Sequence, residues 1–331
     1  MHFLDVKTDY AFKRVFGSEA SKPVLISFLN AILDYQGEHA IVDLVIVDPY
    51  QIPMLQGMKD TYVDVKASLA NGKRVIIEMQ VLNVPGFEKR ILHNAAKEYA
   101  TQLLKGEDYT LLNPVIALTF TDFVMFEESQ ETISRFRLIE RARFIEYGDD
   151  VELIFVELPK FTRTLEDLRS IQDKWIYFVK NAGSLEYIPD TLGSDPSITN
   201  AFNLINEAAM SREELEIQFK RRDFIILQRS SLELAERKGR EAGLQEGMEK
   251  AREDVARNLL DILDDATIAA RTGLSPVQVS QLRSMESGER GSPRLTTRPE
   301  PPELHPPHHR HLGRTGVPDD FPDAQNAPKH S

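Results

Sequence analysis

Residues 63–81 read VDVKASLANGKRVIIEMQV. Two apolar runs flank Asn71-Gly72, the pattern of a β-hairpin. Asp64, Glu78 and Gln80 stand inside those runs, where a strand ordinarily carries Val or Ile. A two-residue turn would set Val63 against Gln80 and Val65 against Glu78, so that each face mixes apolar and charged groups. A three-residue loop, Ala70-Asn71-Gly72 with Gly72 left-handed, pairs Val63 with Met79, Val65 with Ile77 and Ala67 with Val75. One face is then wholly apolar. The other sets Tyr62 opposite Gln80, Asp64 opposite Glu78 and Lys66 opposite Ile76, with the two acids about 5 Å apart at Cβ.

Like charges directly opposed destabilise a sheet. Lys66 and Arg74 on the same face are one remedy. A divalent cation is the stronger one, because hard cations take carboxylate oxygens. Mg²⁺ held by one or two carboxylates also keeps waters and leaves room for a phosphate. The plain alternative is a solvated sheet face with scattered acids.

Outward from the hairpin, TDYAFKRVFG predicts a short helix with Asp9 at its start and Gly17 past its end. A second helix is expected over 22–35, and a strand at IVDLVIVDPY stopped by Pro49. Apolar residues at 92, 95, 96, 99 and 103 mark an amphipathic helix ending at Gly106. NPVIALTF reads as a buried strand, and 135–147 and 151–157 as two more. The first 160 residues therefore predict an α/β (α+β) core with one mixed sheet. Beyond Pro159 the chain turns helical, with helices expected over 164–182 and 197–210 and a long charged one over 212–258. Gly239, Gly243 and Gly247 fall on one face of that helix, either as a close-packing face or merely as weak helix. Residues 259–286 form a small helix-turn-helix-like unit, with Ser275 as N-cap and Pro276 at the first helical position. Its second helix offers only Arg283 as a basic group, which favours packing over groove reading. Residues 287–331 hold 9 of the 18 prolines and read as a disordered tail. His305, His308, His309 and His311 there suggest adventitious metal affinity. The expected division is 1–160, 161–258, 259–286 and 287–331.

The chain has 331 residues and a net charge of −12, with 41% hydrophobic and 28% charged residues, as in a soluble globular protein. No apolar run approaches the roughly 20 residues of a membrane span. The start, MHFLDVKTDY, lacks a signal-peptide core, so a cytoplasmic location is expected. There is no cysteine, which excludes disulfides and thiolate metal sites. The acidic balance opposes a wholly basic nucleic-acid binder. Yet residues 1–125 carry 12 Lys+Arg against 15 Asp+Glu, and residues 126–228 carry 13 against 20, so most of the excess lies away from the hairpin.

Asp64, a turn, then Glu78-Met79-Gln80 resembles the D…(D/E)xK signature of the PD-(D/E)XK nuclease superfamily. DYAFKRVFG at 9–17, YVDVKA at 62–67, IIEMQ at 76–80 and RILHNAAKEYATQLLKGEDYTLLNPVIALTFTDF at 90–123 narrow the resemblance to the Rpn family of recombination-promoting nucleases and transposase-like proteins. The resemblance implies a restriction-endonuclease-like core and Mg²⁺-dependent DNA endonuclease activity in a bacterial cytoplasm. It makes Asp64 and Glu78 metal ligands and places Gln80 where the superfamily has Lys. Gln orients a water but cannot hold positive charge, and Lys66 is a candidate to supply it. Asp9 and Lys13 form either a contact to the site or a helix-stabilising i,i+4 pair. Arg90 suits a phosphate clamp or a plain surface position. Gln102 is a further candidate contact by the resemblance. The rival expectation is a catalytically degenerate core that binds DNA or protein. A phage-defence or toxin-like nuclease would share the chemistry and differ in context. The long helix suggests a homodimer through the C-terminal helices.

Overall fold

The computed structural model describes residues 2–51 and 61–290. The elements in chain order are α1 (Asp9–Phe16), α2 (Lys22–Leu33), β1 (Leu44–Val47), β2 (Tyr50–Gln51), β3 (Thr61–Tyr62), β4 (Val65–Leu69) and β5 (Arg74–Gln80). They continue as α3 (Phe87–Ala100), β6 (Val115–Thr121), β7 (Ile133–Phe136), β8 (Val151–Glu157), α4 (Ile171–Asn181), α5 (Asp190–Gly193), α6 (Pro196–Leu204), α7 (Arg212–Leu259), α8 (Asp265–Thr272) and α9 (Pro276–Arg290). The expected tail and its histidines lie outside the described residues, apart from the last turn of α9. Contacts divide the chain into two units, 1–241 and 242–331.

In the first unit a six-stranded mixed sheet runs in the order β1-β4-β5-β6-β8-β7. Strands β5, β6 and β8 are parallel, and the others pair antiparallel. This is the α/β (α+β) architecture expected from the sequence. One sheet face packs on α1, α2, α4 and α6 through a core holding Phe12, Phe16, Phe28, Phe120 and Trp175. The other packs on α3 through Ile76, Phe87, Ile91, Ala95 and Phe155. Trp175 is wholly buried, with its ring 5.6 Å from that of Phe28 and 6.1 Å from that of Phe16. The helices after residue 160 thus share a core with the sheet before it.

The hairpin turns through three residues. Leu69 N–H donates to Lys73 O at 2.9 Å, Gly72 N–H returns to Leu69 O at 2.9 Å, and Gly72 has φ +86°. Val65 faces Ile77 and Ala67 faces Val75. Val65, Ala67, Ile77 and Met79 enter the larger core, so this face is apolar as expected.

Three local readings differ from the sequence pattern. Helix α3 ends at Ala100 rather than near Gly106, because Gln102 leaves the helix to bond both backbone groups of Asn113, at 2.8 and 2.9 Å. The segment 135–147 is not one strand. After β7 it forms a narrow ribbon with a single bridge, Ile139 to Glu146, and turns through Arg141–Phe144. The helix expected from 164 begins at Ile171, where Ser170 and Asp173 form a reciprocal cap.

In the second unit the end of α7 packs with α8 and α9 around Ala256, Leu260, Ile268 and Val279. Gly273, φ +74°, ends α8, and Ser275 caps α9 at Pro276. Arg283 is drawn inward, donating to Asp265 Oδ1 at 2.8 Å and to the Leu260 and Leu263 carbonyls. Its guanidinium holds the unit together rather than facing a groove. Nothing lies within 4 Å of a Cβ built on Gly239, Gly243 or Gly247, so no described element packs on them. Among the described residues no helix is long and apolar enough to cross a membrane.

Candidate active site

The β4–β5 ladder is interrupted at Asp64. Its N–H donates to Ile77 O at 3.1 Å, while Val65 is also the register partner of Ile77. Two residues therefore oppose one, which is a β-bulge. The extra residue turns Val63 to the α3 side, where it packs with Ile76 and Phe87 rather than facing Met79. The expected direct opposition of Asp64 to Glu78 is thereby replaced. The Asp64 carboxylate lies at the strand gap and accepts the Met79 N–H at 2.7 Å.

Both acids still border one cleft of about 340 Å³, lined by Thr61, Tyr62, Asp64, Glu78, Met79, Gln80, Arg90 and Asn94. Glu78 points to the α3 side and is almost fully buried. Asn94, 1% exposed, donates to its Oε1 at 2.5 Å, and Arg90 donates to its Oε2 at 3.1 Å. The same Nη2 of Arg90 donates to Gln80 Oε1 at 2.7 Å, and Gln80 Nε2 donates to Leu82 O at 2.7 Å. Arg90 thus holds Glu78 and Gln80 together from the first turns of α3 with one nitrogen.

Helix α1 approaches Asp64 from the other side. Lys13 Nζ is 2.7 Å from Asp9 Oδ1 and 3.7 Å from Asp64 Oδ1. The i,i+4 pair and the contact to the site are the same contact. Burial pushes the Asp64 carboxyl up to about 7. The Met79 N–H and Lys13 oppose this, and the hydrogen-bonded Asp9 adds to it. Asp9 is held below the usual range: burial acts against this, but hydrogen bonds from Lys13, Arg221 and Asp64 outweigh it. The pair therefore keeps its proton on Asp64. Arg221, from α7, donates to Asp9 Oδ2 at 2.6 Å.

Two candidates lie behind the cleft rather than in it. Lys66 projects toward α3 and is clasped by the buried Glu98 at 2.7 Å. Gln102 is used by the Asn113 backbone. Conversely, Asn94 and Arg221 belong to the site and were not singled out from the sequence. Asn94 carried a signal, since it is an amide on the buried face of an amphipathic helix. Arg221 carried none, being one of many charges on α7.

Among the described residues no group of three or more His, Asp or Glu side chains closes on one point. The donor set fits a hard, water-retaining cation all the same. Asp64 and Glu78 are both oxygen donors on the cleft, and Mg²⁺ is commonly held by two carboxylates with waters and phosphate completing its shell.

No curated protein and no solved structure gives a match to this chain. Residues 6–235, which include every element of the cleft, match the family model described as PD-(D/E)XK nuclease family transposase. That match covers more than half of the chain, and the chain belongs to the PD-(D/E)XK nuclease family transposases.

Proposed function

We propose that the protein is a Mg²⁺-dependent DNA endonuclease acting in recombination or transposition in the bacterial cytoplasm. The observation that supports it is the meeting of Asp64 and Glu78 on one cleft with Gln80 and Arg90 beside them. Asp64 and Glu78 would hold the metal. When bound, Mg²⁺ would polarise a phosphate oxygen and lower the pKa of a bound water. The chain's own groups do the rest. Gln80, fixed at both ends of its amide, orients the attacking water. Arg90 uses only Nη2 on Glu78 and Gln80, which leaves the rest of its fork for the scissile phosphate. Lys13, beside Asp64, supplies the positive charge that Gln80, standing in place of the superfamily's Lys, lacks. Lys66 acts only by positioning, through Glu98 on the underside of α3.

The test is nicking of supercoiled plasmid by the purified chain. Mg²⁺ should support it, EDTA should stop it, and both Asp64→Asn and Glu78→Gln should reduce it at least a hundredfold. Equal nicking by both variants would remove the assignment.

One observation favours a second reading, a catalytically degenerate core that binds DNA. Arg90 and Asn94 already satisfy Glu78 without a metal. Calorimetric titration separates the two, because the degenerate core would show no Mg²⁺ binding that Glu78→Gln removes. The sequence-based expectation of a homodimer is retained as a proposal. It is supported by Ile217, Phe224, Leu227 and Leu234, exposed along α7 at coiled-coil spacing. Sedimentation of the full chain checks it.

A further inference from the structure

The ribbon between β7 and β8 is not accounted for by the cleft. Glu140 N–H donates to Ile145 O at 2.8 Å and Tyr147 N–H to Leu138 O at 3.0 Å, closing two short antiparallel arms. The turn Arg141-Ala142-Arg143-Phe144 joins them. Glu140 folds its carboxylate back on the Ala142 and Arg143 N–H groups, at 3.0 and 2.7 Å. That use of Glu140 leaves Arg141 and Arg143 exposed, and neither pairs with an acid among the described residues. Arg137, at the root, is paired with Glu146 and Glu152. Arg141 and Arg143 thus put two exposed positive charges on one tip of a chain whose net charge is −12.

Phe144 in the turn and Tyr147 at the root present exposed rings. Phe144 is 75% exposed and Tyr147 84%. Phe144 also has φ +57°, a left-handed backbone that bulky side chains rarely adopt. A glycine or asparagine would serve the turn better and would not present a ring to water. The sequence therefore keeps an aromatic at the tip against both local conformation and solvation.

We infer that this ribbon, residues 137–147, is a second DNA-binding element. Arg141 and Arg143 contact backbone phosphates of duplex DNA, while Phe144 and Tyr147 lie against its bases or sugars. The inference rests on DNA being the substrate of the cleft. A two-stranded ribbon is narrow enough to enter the major groove, and an apolar wedge beside basic side chains is the chemistry by which proteins unstack or grip a base step. The charge complementarity favours nucleic acid over a protein face. The sheet register sets the span. Glu78 shares its row with Thr119 and Phe155, and Phe136 faces Leu153. The ribbon springs from β8 and β7, two and three strands (about 10–14 Å) to the side, and its tip lies about eight residues further along, on the order of 30 Å from Glu78. The two elements would touch one duplex within a single helical turn.

The experiment is equilibrium binding of the full chain to a fluorescent duplex of about three helical turns, in EDTA, across a salt series. Removing both arginines (Arg141→Ala with Arg143→Ala) should weaken binding about tenfold or more and lower the salt slope by about two. Phe144→Gly, which also relieves the backbone, should weaken binding about fivefold or more with the salt slope unchanged. Arg240→Ala, an exposed arginine on α7, should behave as wild type. Wild-type affinity and slope in the ribbon variants would overturn the inference, as would an equal loss in Arg240→Ala. A change of sedimentation in the ribbon variants without loss of DNA affinity would also overturn it, showing an interface between copies. Wild-type protein that nicks plasmid while its ribbon variants bind normally sinks this inference alone. Wild-type protein that neither nicks nor binds sinks the reading of the cleft as well.

Discussion

The Asp64 carboxylate accepts the Met79 backbone N–H at 2.7 Å, so a side chain completes the ladder where the hairpin's own carbonyl has been displaced. The bulge and the site are therefore one feature, because the acid that borders the cleft also closes the sheet. Asp64→Asn keeps an acceptor for that N–H, whereas Asp64→Ala leaves a partly buried donor unmet. Alanine should cost about 1–3 kcal/mol of stability and asparagine much less, by urea denaturation. Equal losses would show that the bond does not support the hairpin.

The raised Asp64 pKa has a stability consequence of definite sign. An unfolded chain releases this proton near pH 4, the folded one only near pH 7. Between those values the folded state binds more protons, so this group's contribution to metal-free stability falls as pH rises and levels off above about 7. Asp64→Asn lacks the term. The difference between wild type and variant should drift steadily against the wild type from pH 4 to pH 7, by chemical denaturation in EDTA. A difference independent of pH would place the proton elsewhere.

Asn94 holds Glu78 by Oε1 from a position 1% exposed. Asn94→Ala should free that carboxylate to rotate. The Mg²⁺ concentration that half-saturates nicking should rise about 10–100-fold, while thermal stability falls modestly. An unchanged Mg²⁺ response would mean that Arg90 alone sets the orientation.

Gly72 adopts φ +86°, and a Cβ there would sit 2.2 Å from Asn113 Oδ1. Gly72→Ala meets both conflicts at once. Destabilisation of more than about 1 kcal/mol is expected in thermal unfolding, with relief in the double variant Gly72→Ala, Asn113→Ala. No relief would assign the whole cost to the backbone angle.

The hairpin register was legible because only an odd turn gives β4 and β5 one apolar face, and Asn71-Gly72 permits that turn. The bulge was not, since it depends on Asp64 finding the Met79 N–H, a contact no periodicity records. Glu78 and Gln80 were readable as polar residues in an apolar run. Their partners Arg90 and Asn94 come from α3, whose docking is a tertiary matter. The ribbon misled for a similar reason: FRLIERARFIEYG carries Phe, Ile and Tyr near both of its ends, and only the Glu140 carboxylate folding onto Ala142 and Arg143 reveals a turn.

Trp175 closes over Phe16 and Phe28, and this decides where the chain can be shortened. A fragment stopping at residue 160 would carry the whole cleft yet leave a wall of phenylalanine bare to water, inviting aggregation before any chemistry could be assayed. Fusion partners and minimal versions should be joined near residue 241, where the first unit ends.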